Sequence, residues 1–477
     1  VGYCLKSMDD ELFIAGPSTN ADGDTRACTV ALHCGDGSLQ DFMTAPPLKQ
    51  LVLACQESEA TGSTLLHLSA QASDCDALKQ LLRARAHVNH ANKDGATSLL
   101  VATRANNIQA LRQLLSARAN VDLASRGGIT PVYASAQANY AEAMRELISA
   151  RARIDRARHD GATPVFAAVL EKNIEALHQL VLARANVNQA ANDGATPMHM
   201  AVMENSVDVI QLLLLGRANV NQAAGGGMTP AFTAAQLDTA EALEQLVLAR
   251  ANVDKADNNK VSPAFVAAKN NSCQALHRLM QARADINQVN KVGASPMFVA
   301  ARNKNSDLIR QLAVAGATVN LANRDGIAPV FWAAQHNRLD DLQEILLARV
   351  NVNQAYKGGA TPLLVAAQND SAGAISLLLR ARATVNQPNS SGSSAACVAA
   401  QVDSSNALRH LLAAKADVDQ ANKNGSTPAF LAVQHDSLAS LQLLLDAKAD
   451  TNLANRKGAT PAHVAATDDN ARALRLL

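Results

Sequence analysis

Apolar positions along the chain return in short runs at a fixed distance of 33 residues, separated by polar links. Thirteen registers run from residue 62 to 458 without insertion or deletion, each opening on Gly except at Lys260. In Gly161-Ala-Thr-Pro-Val-Phe-Ala-Ala168 the hydroxyl is placed to cap a helix, and Pro follows at the first helical position, where its missing N–H costs nothing. A short first helix is therefore predicted in every register. A second follows, with apolar spacing as at Ile174, Leu177, Leu180 and Val181. Between the two, Asn139, Asn205, Asp238, Asn271 and Asp436 occupy the position where the first helix must end, and such residues tolerate the left-handed backbone. A link of the Ala-Asn-Val-Asn-Gln type leads to the next Gly. Its second polar residue is Asn or Asp in all twelve links from Asn89 to Asn452, and is expected to bond nearby backbone N–H groups. A strict period of this length means stacked repeats, so the fold class is an all-α solenoid of helix-turn-helix units.

Residues 1–47 stand outside the repeat and read as a loop-rich leader. Residues 48–61 resemble the second helix of the following unit and read as an N-terminal half-repeat cap. Residues 62–477 are the array, about thirteen repeats with the last cut short. The chain opens on Val1 and stops at Leu477 inside an expected helix, from which a longer protein is anticipated.

Composition narrows the chemistry. Hydrophobic residues make up 48% of the chain but aromatics only 3%, so the core must be thin layers of Ala, Leu and Val. Lys plus Arg number 43 against 42 Asp plus Glu, which makes no case for nucleic acid. No apolar run approaches the roughly 18–20 residues that span a bilayer. The seven cysteines do not follow the repeat, which points to a reducing compartment, cytoplasmic or nuclear. Cys28, His33 and Cys34 are too few for a structural zinc site. There is no Gly-x-Ser-x-Gly elbow, no phosphate-binding loop and no His-Glu-x-x-His pair. Catalytic residues, metal ligands and cofactors are therefore not expected. His67, His199 and His463 share a slot that Phe fills in six other units, and read as packing residues.

A 33-residue unit carrying Gly-x-Thr-Pro, Ala-Ala and Val-Asn resembles the ankyrin repeat, over roughly residues 48–477. That resemblance implies a monomeric, non-catalytic scaffold or adaptor. It would hold partner proteins on the concave face formed by first helices and finger-like links. It equally suits the targeting array of a larger enzyme or channel. Two departures stand out. The Leu-His that usually follows Thr-Pro is mostly Val-Phe, Ala-Phe or Met-Phe, so a histidine network between units is largely missing and burial must carry more of the cohesion. The Gly that usually ends the second helix is basic in eleven units (Arg85 to Lys448), with Gly316 the exception. These cations either complement helix dipoles or form a ladder for an acidic partner or an anionic surface.

Recognition in a solenoid falls at positions that vary between units. Arg151, Arg153, Arg156, Arg158 and His159 form one candidate, suited to an acidic segment. Trp332, the single tryptophan, and Tyr356 form a second, because aromatic residues are frequent hot spots. The Gly225-Gly226-Gly227 link reads as flexible. Ala328 lacks the capping hydroxyl, while Lys260 and Ser394-Ala395 mark the two weakest units.

Overall fold

The computed structural model describes residues 4–8, 11–15, 61–72 and 74–477. The half-repeat cap, and the Cys28, His33 and Cys34 group, lie outside the described residues. Cys4–Met8 pairs antiparallel with Glu11–Ala15, Cys4 opposite Ala15 and Met8 opposite Glu11. The leader, read as loop-rich, thus holds a two-stranded element. Its Leu12-Phe13-Ile14 run is short enough to be hidden by the Gly, Asp and Ser around it.

The described part of the array is helical, and the chain divides into two compact units, Val1–Gly225 and Gly226–Leu477. The division falls in the triple-glycine link. Gly226 and Gly227 in that link both have positive φ.

Within each unit the same local chemistry builds every layer. First helices such as Pro164–Leu170 and Pro263–Asn270 run seven or eight residues from a β-region hydroxyl residue. Thr163 accepts the N–H of Phe166 at 3.2 Å, and Ser262 that of Phe265 at 3.2 Å. Ala328 holds the same extended backbone with no side-chain cap. Ala328→Thr is therefore expected to stabilise the protein by about 1 kcal/mol in urea unfolding. An unchanged midpoint would show that the first turn of Pro329–Gln335 is held by packing alone.

Second helices bury a stripe such as Leu276 and Leu279, both fully enclosed. Except for Leu339–Leu347 and the last, they end in a Schellman arrangement. Arg250 donates its N–H to Val247 O at 2.9 Å and Ala251 to Leu246 O at 2.9 Å, with Arg250 at φ 60°. All eleven basic residues at this position have φ between 55° and 64°. The helix end is therefore not remodelled to avoid the left-handed region.

Side-chain bridges between layers add to burial. Asp238, left-handed at the end of Pro230–Leu237, accepts the N–H of Ala275 at 2.7 Å and so caps the next layer's second helix. Asn139, Asn337, Asp370 and Asp403 do the same for Ala176, Ala374, Ala407 and Ser440. The helices they cap have no side-chain cap of their own. A second set joins the links. Asp254 accepts the N–H of Asp285 at 2.7 Å, and Asn287 that of Thr318 at 2.7 Å. The second polar residue of a link was expected to bond within its own turn, but it reaches the neighbouring link. The first polar residue makes the local bond, as when Asn351 accepts from Asn353 at 3.1 Å. The histidines also do more than pack. His67 Nδ1 meets Thr64 Oγ1 at 2.9 Å, and its Nε2 meets Ala96 O of the next layer at 3.0 Å.

Candidate functional site

Finger-like links project between the second helix of one layer and the first helix of the next, and successive fingers are joined by backbone bonds. Lys423 N–H reaches Ser391 O at 2.9 Å, and Arg456 N–H reaches Asn424 O at 2.9 Å. The finger glycine permits this approach. A Cβ on Gly392, which sits at φ +81°, would lie 2.7 Å from Lys423 N. Lys260, the one non-glycine in this register, adopts φ 59°, and the bond beside it, from Lys291 N–H to Asn259 O, is stretched to 3.3 Å.

Along the fingers of residues 226–477, Lys291, Arg324, Lys357, Lys423 and Arg456 occupy one register and all are exposed. Among the described residues, a backbone bond to the preceding finger holds each of them except Lys357. Lys357 faces Asp325 at 3.8 Å, and Lys291 Nζ reaches only the neutral Asn259 amide at 3.2 Å. Among the described residues, Arg324, Lys423 and Arg456 meet no carboxylate within salt-bridge reach. This row was not picked out from the sequence. The signal was present, a basic residue two before the finger Gly, but it was overshadowed by the more uniform cations at the helix ends.

The arginine group of residues 151–159 is for the most part engaged within its own unit. Arg158 forms a two-pronged pair with Asp160 and lies 5.5 Å over the Tyr133 ring. Its guanidinium holds the Asp160 carboxyl down at about 2. Arg156 Nη1 donates to Asp122 O at 2.5 Å, and Arg153 N–H to Asp122 Oδ1 at 2.8 Å. His159 Nε2 meets Arg126 O at 3.0 Å. Arg151 stands at a helix end with its side chain exposed. Arg153, Arg156 and His159 thus tie neighbouring links together, while Arg158 pairs within its own link and covers a ring of the preceding first helix.

Trp332 and Tyr356 both attach to the row of first helices. Trp332 is half-buried, edge-on to Phe298 with ring centres 5.9 Å apart and stacked on His336 at 4.1 Å. Tyr356, also half-buried, tilts onto Phe331 at 5.1 Å. Helix Pro329–Gln335 therefore carries both aromatic contacts on adjacent residues, Phe331 and Trp332.

Among the described residues no group of three His, Cys, Asp or Glu side chains could hold a metal ion. No described helix is long and apolar enough to cross a membrane.

A family model of ankyrin repeats, in copies of three, matches residues 132–224, 165–259, 264–356, 297–389, 330–422 and 396–477, together more than half of the chain. No curated protein matches. Among solved structures the chain is similar to the ankyrin repeat domain of Bcl-3, described as a unique member of the IkappaB protein family. The identity is 24%, over 45% of this chain and 97% of that one, with a TM-score of 0.43.

Proposed function

This chain belongs to the ankyrin-repeat family, whose repeats serve in general as protein–protein interaction modules, and from that premise we propose that it is a non-catalytic scaffold that captures acidic, extended segments of partner proteins along the fingers of residues 226–477. The observation that carries this reading is the exposed row Lys291, Arg324, Lys357, Lys423 and Arg456, of which all but Lys357 are held to the preceding finger by a backbone bond. A polypeptide laid across successive fingers meets a cation in each layer from Lys291 to Arg456 except at Ser390, the layers spaced by about 9–10 Å as ordinary helix packing sets it. Trp332 is half-buried on the adjoining row of first helices and offers an aromatic anchor beside that path. Arg151 and Arg153 would add charge at a separate place, and the internal bonds of Arg156, Arg158 and His159 leave them less to offer a partner.

Fluorescence anisotropy with a labelled oligoglutamate tests the reading on the full chain. Exposed ion pairs contribute about 0.2–1 kcal/mol each. Changing Lys291, Arg324, Lys423 and Arg456 together to Gln should therefore weaken binding about tenfold or more. Binding should also weaken as salt rises. The paired change Arg151→Gln and Arg153→Gln should leave affinity nearly unchanged. Because Trp332 is the only tryptophan, a shift in its emission would report occupancy of the first-helix face. Equal affinity of the four-site variant and the native protein would reject the finger row as the docking site.

A further inference from the structure

A second basic row lies at the C-terminal ends of the second helices. In residues 226–477 it comprises Arg250, Arg283, Arg349, Arg382, Lys415 and Lys448. All six are exposed, and none makes an ion pair or side-chain hydrogen bond with another described residue. Of the acids on these helices, Glu244 pairs with Arg278 at 3.2 Å and Asp446, two residues before Lys448, accepts from Gln442 at 2.9 Å. The cations hold a backbone conformation that favours glycine, at φ 55–64° in every case. A helix-dipole role would ask only for a cation somewhere in the last turn, and no side chain here is bonded to a terminal carbonyl among the described residues.

Two residues before this helix-end position, the last turn carries a large apolar side chain facing solvent in three layers, beside Arg250, Gly316 and Arg349. Leu248 is 72% exposed, Val314 85% and Leu347 70%. The residues preceding them, Val247, Ala313 and Leu346, are themselves half-buried and apolar. Isolated exposed leucines need no explanation, but these three share one register, Leu248 and Leu347 beside its cations and Val314 beside Gly316, with Gln281, Arg380, Ala413 and Asp446 in the other layers.

We propose that this edge binds the surface of a bilayer containing anionic phospholipid, with Leu248, Val314 and Leu347 entering the interfacial zone and the six cations meeting headgroups. Charge complementarity and uniformity favour this occupant. A protein partner is read by residues that differ from layer to layer, whereas a like cation in nearly every layer suits a surface of even negative charge. Cations near such a surface and apolar side chains at the headgroup boundary reinforce each other. The proposal concerns a different edge and a different ligand from the finger row.

Co-sedimentation of the full chain with phosphatidylcholine vesicles, with and without phosphatidylserine, tests it. The native protein should pellet with the phosphatidylserine vesicles only, and less so at raised salt. Changing the six cations together to Gly removes the charge and relieves the left-handed backbone, so its melting temperature should not fall while vesicle partitioning drops about a hundredfold or more. Leu248→Ser, Val314→Ser and Leu347→Ser together should weaken partitioning about tenfold or more, as loss of buried apolar area requires. The four-site finger variant should still pellet. The proposal is overturned if the native protein ignores phosphatidylserine vesicles, if the glycine variant pellets as well as the native protein, or if the six-cation edge captures oligoglutamate but not vesicles.

Discussion

Replacing Gly392 with Ala is expected to destabilise the protein by about 2 kcal/mol, read as a lower midpoint in equilibrium urea unfolding. Gly392 has φ +81°, and a Cβ there would sit 2.7 Å from the backbone nitrogen of Lys423. The left-handed backbone alone costs a side-chain-bearing residue roughly 1–2 kcal/mol. The second part comes from the neighbouring finger, which must move away and so weaken the 2.9 Å bond from Lys423 N–H to Ser391 O. Lys260 shows the same conflict in the native chain. The bond beside it measures 3.3 Å, against 2.8–3.1 Å beside Gly293, Gly359, Gly392 and Gly425. Lys260→Gly should accordingly move stability the other way, by about 1 kcal/mol. If Gly392→Ala left the midpoint unchanged, the fingers would not be joined as described.

Asp341 should yield the opposite kind of result, a gain on substitution that depends on pH. It is only 4% exposed, in a slot that Ala242, Ala275, Ala374 and Ala407 fill in other layers. The helix whose first turn it lies in, Leu339–Leu347, has Arg338 at the cap position and no side-chain cap. The residue that would reach it from the preceding layer is Lys304, left-handed like Asp238 but without an acceptor. Burial pushes the Asp341 carboxyl above its ordinary value, more than Arg338 pulls it down, and Asp340 adds to the rise. Folding therefore favours the protonated form. The native protein keeps its full stability below the ordinary carboxylate range and loses some as pH rises through the raised value in the folded state. Asp341→Ala has no such loss. Its advantage should be about 1–2 kcal/mol at neutral pH and should shrink towards zero in acid. A pH-independent difference between the two proteins would assign the effect to packing rather than to the buried charge.

Much of the fold was legible because the repeat states the same local rules thirteen times. Thr163 and Pro164, or Ser262 and Pro263, announce a helix start by chemistry confined to adjacent residues. The left-handed Asn139 and Asp238 were readable for the same reason. What they do across the layer was not. The bonds from Asp238 to Ala275 and from Asp254 to Asp285 join residues 37 and 31 apart, and only the stacked geometry brings them together. The candidate sites were less legible still. Charge density marked Arg156 and Arg158, but the acceptor that occupies Arg156, Asp122 O, lies 34 residues away and depends on how the neighbouring link folds, while the Asp160 carboxylate takes up Arg158 within its own link. The finger row was visible as residue type and hidden as a surface, since nothing in a linear sequence says which basic residues are left without partners.

Hydrogen–deuterium exchange of the full chain with and without oligoglutamate tests the central claim most directly. If the protein is a scaffold whose fingers receive acidic segments, protection should appear in the finger segments around 291–293, 324–326, 423–425 and 456–458, with the adjoining first helices following. The links of residues 151–159 and the ends of the second helices should be unaffected. Protection confined to residues 151–159, or none at concentrations where anisotropy reports binding, would contradict the account.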